Sequence, residues 1–215
     1  MRKAPQQKRS REMVSRLLEA TGATIAERGL DNTTTNHIAE RAGVSIGSLY
    51  QYFPDKDALV EALLVQLGEQ IGRTFRRRAE ALDFHQLRLR DVAALGIAYG
   101  MNLIRTDPLF SELTRNWNRV PIEKMLDPLE RFFLVMAQPY FLRNYHNYPV
   151  QNLEAKLYVL INSTLFTAIR YLGQETRALP EQRLVETLAD MIVTVLERPD
   201  TLERSDRVSD APVSS

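Results

Sequence analysis

The residues best equipped for chemistry sit between Arg41 and Lys56, in the stretch RAGVSIGSLYQYFPDK. Ser45, Ser48, Tyr50, Gln51 and Tyr52 carry hydroxyl and amide groups, and Lys56 adds a cation. Gln51 is able to form paired hydrogen bonds with the edge of a planar heterocycle, serine hydroxyls both donate and accept, and lysine meets anionic oxygens. Ile46 offers an apolar contact of methyl size, and the missing side chain of Gly47 lets backbone approach a surface closely. This is recognition chemistry.

Such groups need elements that hold them outward. Apolar residues Met13, Leu17, Leu18 and Ile25 recur at helical spacing between Ser10 and Arg28, and Gly29 follows as a stop. DNTTT supplies cap oxygens for a two-turn segment containing Ile38, Ala39 and Ala42, which Gly43 ends. Ser45 caps a third short helix bearing Leu49, Tyr50 and Phe53. Pro54 then interrupts the chain, and Asp55 caps a longer helix through Leu59, Leu63 and Leu67. The spacing Ala39, Gly43, Leu49 suits a helix-turn-helix: a small residue at the crossing, a turn tolerant of left-handed geometry and apolar groups locking the second helix. With Val44 and Leu49 inward, Ser45 to Ser48 and Tyr50 to Tyr52 contain the outward face. A short helix so presented fits the major groove of double-stranded DNA. Thr34, Thr35 and Asn36 head the preceding helix, where cap oxygens and free N–H groups meet phosphate.

Charge agrees with a polyanion partner at this end. Residues 1–56 hold nine Lys/Arg against six Asp/Glu, and Arg2 to Arg16 hold six against one, whereas the whole chain of 215 residues has a formal charge of only +1. The absence of cysteine excludes disulfides, thiolate metal sites and thiol nucleophiles, and fits a cytoplasmic protein. No Gly-rich phosphate loop follows a strand and no histidine pair has metal-ligand spacing, so neither an enzyme nor a cofactor or metal site is expected. No stretch has the apolar length of a membrane span.

The remainder reads as helical segments over Arg88 to Arg105, Pro108 to Asn116, Ile122 to Tyr145, Val150 to Leu172 and Pro180 to Glu197, with a polar tail over 200–215 expected to be disordered. No alternating β-branched run demands a sheet, so the fold class is all-α. The run Val92 to Ile104 is almost wholly apolar or small, which predicts a helix surrounded on most sides. There Gly96 and Gly100 either admit another helix or leave room for a small molecule.

The run GLDNTTTNHIAERAGVSIGSLYQYFPDKDALVEALL, with its order TT, IA, AGVS, GSLY, YF and K, resembles the N-terminal DNA-binding domain of TetR-family transcriptional regulators. The likeness covers about the first 65 residues. Many members of that family carry lysine in the slot of Ile46, so the departure here bears on the operator sequence. The resemblance implies a helix-turn-helix domain over 1–56 with a basic arm, and an effector-binding and dimerisation domain over 57–199. It further implies pocket-forming helices that carry Tyr99, Asn102, Arg105, Phe110, Trp117, Phe133, Met136, Tyr140, Asn162 and Phe166. Within that set Asn102 and Asn162 are expected to be buried amides in need of partners. The last two helices are implied to pair with those of a second copy, giving a homodimer on a palindromic operator, a repressor released by a small molecule. A rival reading is a helical adaptor that binds protein or lipid through the same fold.

Overall fold

The computed structural model describes residues 4–81, 87–143, 151–174, 176 and 178–197. Among them the regular structure is entirely helical: α1 (Ala4–Arg28), α2 (Thr35–Ala42), α3 (Ile46–Tyr50), α4 (Lys56–Ala81), α5 (Leu89–Thr106), α6 (Pro108–Arg115), α7 (Glu123–Arg143), α8 (Leu153–Leu172) and α9 (Glu181–Glu197). The tail over 200–215 lies outside the described residues, as do the ends expected at Tyr145 and Val150.

The helices form where local chemistry starts and stops them. Thr34 caps α2 by accepting from the His37 N–H, and Gly43 ends it at φ 65°, where left-handed backbone favours glycine. Ser45 caps α3 by accepting from Ser48 N–H at 3.1 Å, and Asp55 accepts from Ala58 N–H at 2.8 Å at the head of α4. Asp107 caps α6, with Pro108 at its first turn. Pro128 and Pro139 lie inside α7, which nonetheless continues through them. The buried hydroxyls of Thr21 and Thr24 are satisfied within α1 by the carbonyls of Leu17 and Ala20, each at 2.7 Å.

Three apolar clusters hold the molecule. The first joins α1–α4 to α6 and the start of α7 through Leu17, Ile38, Leu49, Leu59, Leu64, Leu113 and Met125. The second gathers Met101, Ala168, Leu172 and Leu188, and the third gathers Leu89, Phe141, Leu157, Leu160 and Leu196. A boundary at 56 falls on the first residue of α4, whose Leu59, Val60, Leu63 and Leu64 are core residues shared with α1. The helix therefore belongs to both halves of the chain.

The expectation for α5 is corrected. It packs mainly on α9, with Leu95 55% exposed and Asn102 also facing outward, so its apolar sequence does not mark a central helix. Nor does either of its glycines admit a neighbouring helix. A methyl on Gly96 would meet nothing within 4 Å, and one on Gly100 would meet only the Phe75 ring. Close backbone approach occurs instead at Gly68, where a Cβ would stand 2.4 Å from the Met125 carbonyl oxygen and so seats α4 directly on α7. The apolar stripe of α9 is likewise largely consumed within the chain: Leu184, Val185, Leu188, Ala189 and Leu196 are buried, whereas α8 keeps Tyr158, Val159 and Phe166 exposed.

Candidate nucleic-acid interface and effector region

The turn between α2 and α3 fixes which side chains face outward. Val44 N–H donates to Ala39 O at 3.0 Å, Leu49 is fully buried and Phe53 nearly so, so α3 has one anchored side. The other side exposes Ser45, Ile46, Gly47, Tyr50, Gln51 and Tyr52, with Tyr50 half-exposed. Thr34 and Asn36 are exposed and Thr35 half-buried at the head of α2. The hydroxyls of Thr35 and Tyr50 lie 3.1 Å apart, tying the two helices across their open face. Ser48 is half-buried with its hydroxyl 2.9 Å from that of Ser45, so it contributes to the cap as well as to the surface. Lys56 is also half-buried, and its ammonium donates to Leu30 O at 3.2 Å. All eleven residues thus border one surface or support it.

Several polar links lie beyond what the sequence revealed. Arg41 pairs with Glu27, joining α2 to α1. Glu112 on α6 accepts from Leu30 N–H at 2.9 Å, just past the α1 stop at Gly29, and also accepts from the Asn116 amide. Arg119 donates to both carboxylate oxygens of Asp31, and this hydrogen bonding holds the Asp31 carboxyl below its ordinary range. Lys124 pairs with Glu61 at 2.9 Å, and that carboxylate raises its pKa. The turn ahead of α2 is therefore gripped from α6 and the loop behind it, across sequence separations of 82 and 88 residues. No local pattern signals contacts so distant.

The second half forms two slabs, α4 on α7 and α5 on α9, bridged by α8. Phe75 of α4 meets Tyr99 of α5 and Phe133 of α7 edge-on, each pair with ring centres 5.2 Å apart, and Phe133 meets Phe132. Val92, Gly96, Tyr99, Gly100 and Leu103 on α5 are only half-buried. Phe133, Met136 and Tyr140, on one face of α7, are half-buried as well.

The remaining residues expected at a pocket have varied surroundings. Phe110 is a core residue of the first cluster, and Trp117 pairs edge-on with the exposed Phe166. Asn102 is an exposed residue that accepts from Arg105, which also makes two hydrogen bonds to Glu181. Its amide is not buried, because it lies at the surface beside the Arg105–Glu181 pair that links α5 to the start of α9. Asn162 finds its partners within the protein, donating to Glu130 and to Tyr158 O. None of these ten side chains lines the open groove of about 620 Å³ between α5 and α9, or the cleft of about 200 Å³ among α1, α4 and α6. No described helix is long and apolar enough to cross a membrane.

This architecture, with a short outward helix on a small trihelical head, is a helix-turn-helix. Residues 17–63 match the family described as bacterial regulatory proteins, tetR family. The chain is 42% identical over 81 residues to the HTH-type transcriptional regulator BetI of Burkholderia mallei (strain NCTC 10229), a span covering 37% of this chain and 42% of that relative. Against the BetI of Serratia proteamaculans (strain 568) it is 41% identical over 69 residues, 32% of this chain and 35% of the relative. The match thus spans less than half the length of these curated relatives. The fold as a whole is similar to a TetR transcriptional regulator from Rhodococcus sp. RHA1, with TM-score 0.62, 21% identity and coverage of 87% of this chain and 99% of that one. It is also similar to RolR in complex with the ligand resorcinol, with TM-score 0.62, 20% identity and coverage of 90% and 97%. The N-terminal head, over residues 17–63, is thus of the tetR family of bacterial regulatory proteins.

Proposed function

We propose that this protein is a repressor that binds a palindromic DNA operator as a homodimer and leaves it when a small molecule occupies the second domain. One observation carries the reading: α3 is anchored by Leu49 yet leaves Ser45, Ile46, Gly47, Tyr50, Gln51 and Tyr52 at the surface. In the major groove Gln51 reads an adenine edge, Ile46 covers a thymine methyl, and the hydroxyls with Lys56 set the helix against phosphates.

A twofold dimer would bring two such helices to successive turns of the duplex. The exposed Tyr158, Val159 and Phe166 favour α8 as the principal contact. The effector site lies beside the half-buried Tyr99 of α5 and Phe133, Met136 and Tyr140 of α7. An effector acts only by favouring one arrangement of the two heads over another. Its effect reaches the heads through α4 and through the Glu112 and Arg119 links to the turn ahead of α2.

Selection of duplexes from a random pool tests the reading. An enriched inverted repeat whose half-sites lie about one helical turn apart supports it. Binding with no enriched sequence and no steep salt dependence would instead favour an adaptor of protein or lipid.

A further inference from the structure

The backbone of Leu30 is held from two other helices at once. Its N–H donates to Glu112 Oε1 on α6 at 2.9 Å, and its carbonyl accepts from Lys56 Nζ, at the first residue of α4, at 3.2 Å. Its side chain is buried in the first apolar cluster. Leu30 lies in the short connection between Arg28, where α1 ends, and Thr34, which caps α2. That connection is itself a bonded turn, because Thr33 Oγ1 donates to Gly29 O at 2.8 Å. A displacement of Leu30 is therefore passed to the head of α2, and from there to α3 through the Val44 bond to Ala39 O and the Thr35–Tyr50 hydroxyl pair.

Glu112 is prepared for this contact by its own helix. Its side chain is only 19% exposed, Oε2 pairs with Arg115 at 3.2 Å, and Oε1 also accepts from the Asn116 amide at 3.2 Å. The approach depends on Gly29, whose φ is 80° and where a Cβ would stand 3.3 Å from Oε1. Asn116 extends the arrangement: its Oδ1 accepts from Arg119 at 3.0 Å, and Arg119 in turn bonds Asp31. The two links to the turn thus form one unit. They differ in strength, since Arg119 and Asp31 are both exposed and such pairs contribute little, whereas an N–H on a shielded, pre-oriented carboxylate is a strong bond.

Resting on the operator reading above, we infer that Glu112 is a positioning residue for DNA recognition: by holding Leu30 between α6 and α4 it fixes the direction in which α3 is presented, and so the half-site spacing that a dimer accepts. Glu112 is not part of the exposed face of α3 and acts through Leu30. Spacing is the quantity such a residue controls. One base pair added between half-sites moves one of them by about 3.4 Å and turns it by about 35°. A head free to pivot absorbs that change, and a fixed head does not.

The test measures the full-length protein, by fluorescence anisotropy, on its selected operator and on versions with one base pair added or removed at the centre. Wild type should bind the altered duplexes more weakly. Glu112→Ala should shrink that penalty about tenfold, the scale of one hydrogen bond to a charged group, and leave the base preference within each half-site unchanged. Glu112→Gln keeps a side-chain oxygen for the Leu30 N–H and should retain most of the wild-type penalty. Arg119→Ala breaks only the exposed pair and should shift the discrimination the same way by less, and it carries the test if Glu112→Ala fails to fold. A spacing penalty unchanged in these alanine variants, whether or not overall affinity falls, overturns the positioning role. So does a wild-type protein that selects an inverted repeat yet tolerates the added base pair. Selection of no inverted repeat overturns the operator reading itself, and this inference with it.

Discussion

At the scale of single residues, the outer face of α3 makes unequal demands. Tyr50 is half-exposed and its hydroxyl lies beside that of Thr35, so removal loses both a contact and a brace between helices. Tyr50→Ala should weaken operator binding about tenfold by fluorescence anisotropy, the scale of one lost hydrogen bond to a charged group. Gln51→Ala should relax preference at one base pair by about 1–3 kcal/mol, visible as a flattened position in a repeated duplex selection. The hydroxyl of Thr164 on α8, buried without a hydrogen-bond partner, belongs to this scale too. Replacing its unpaired hydroxyl with the similar volume of valine should stabilise the unliganded protein by about 1 kcal/mol in denaturant unfolding. A pH effect attaches to Asp31. Arg119 lowers its folded pKa, so its stabilising contribution is complete above the ordinary aspartate value and is lost as pH falls through the lower folded one. The difference in thermal midpoint between wild type and Arg119→Ala should therefore shrink below about pH 4.

At the scale of elements, caps and stops were readable because they are local. Thr34, Gly43, Ser45 and Asp55 each act within four residues of themselves, and the sequence placed the helices they bound closely. The later segments also agreed with α5–α9 to within a few residues, since proline and polar breaks punctuate them. Helix neighbours were less readable. Hydrophobicity along α5 signals burial in general but not which side lies against α9, and two glycines four apart cannot report that one faces open space and the other a phenylalanine ring. Gly68 carries no pattern of its own, yet it faces the Met125 carbonyl. Gly68→Ala should force α4 and α7 apart and cost about 2–3 kcal/mol, read as a fall in thermal midpoint. Pocket lining is not legible from residue type: an aromatic residue such as Phe110, a core residue here, fills a core as readily as it lines a site.

At the scale of the whole molecule, assembly decides whether two reading helices act together. The exposed Tyr158 and Val159 lie on one face of α8, whose opposite face is spent on the protein's own core. Val159→Arg should place like charges at a twofold contact and shift the protein toward monomer in sedimentation equilibrium. Operator affinity should fall in the same variant even though α3 is untouched, because one head alone makes half the phosphate contacts. An unchanged sedimentation profile would move the dimer contact away from α8.

The seating of Gly68 against Met125 also bears on how motion travels. Two backbones in direct contact leave no layer of side chains to shear, so α4 is unable to slide along α7 as a loose piston. At that contact they move together, and the exposed ion pair of Lys124 with Glu61 joins the same two helices. Any effector that tilts the head has to rotate that joined pair, turning a small wedge near Phe75 into a larger sweep of α3 at the opposite end.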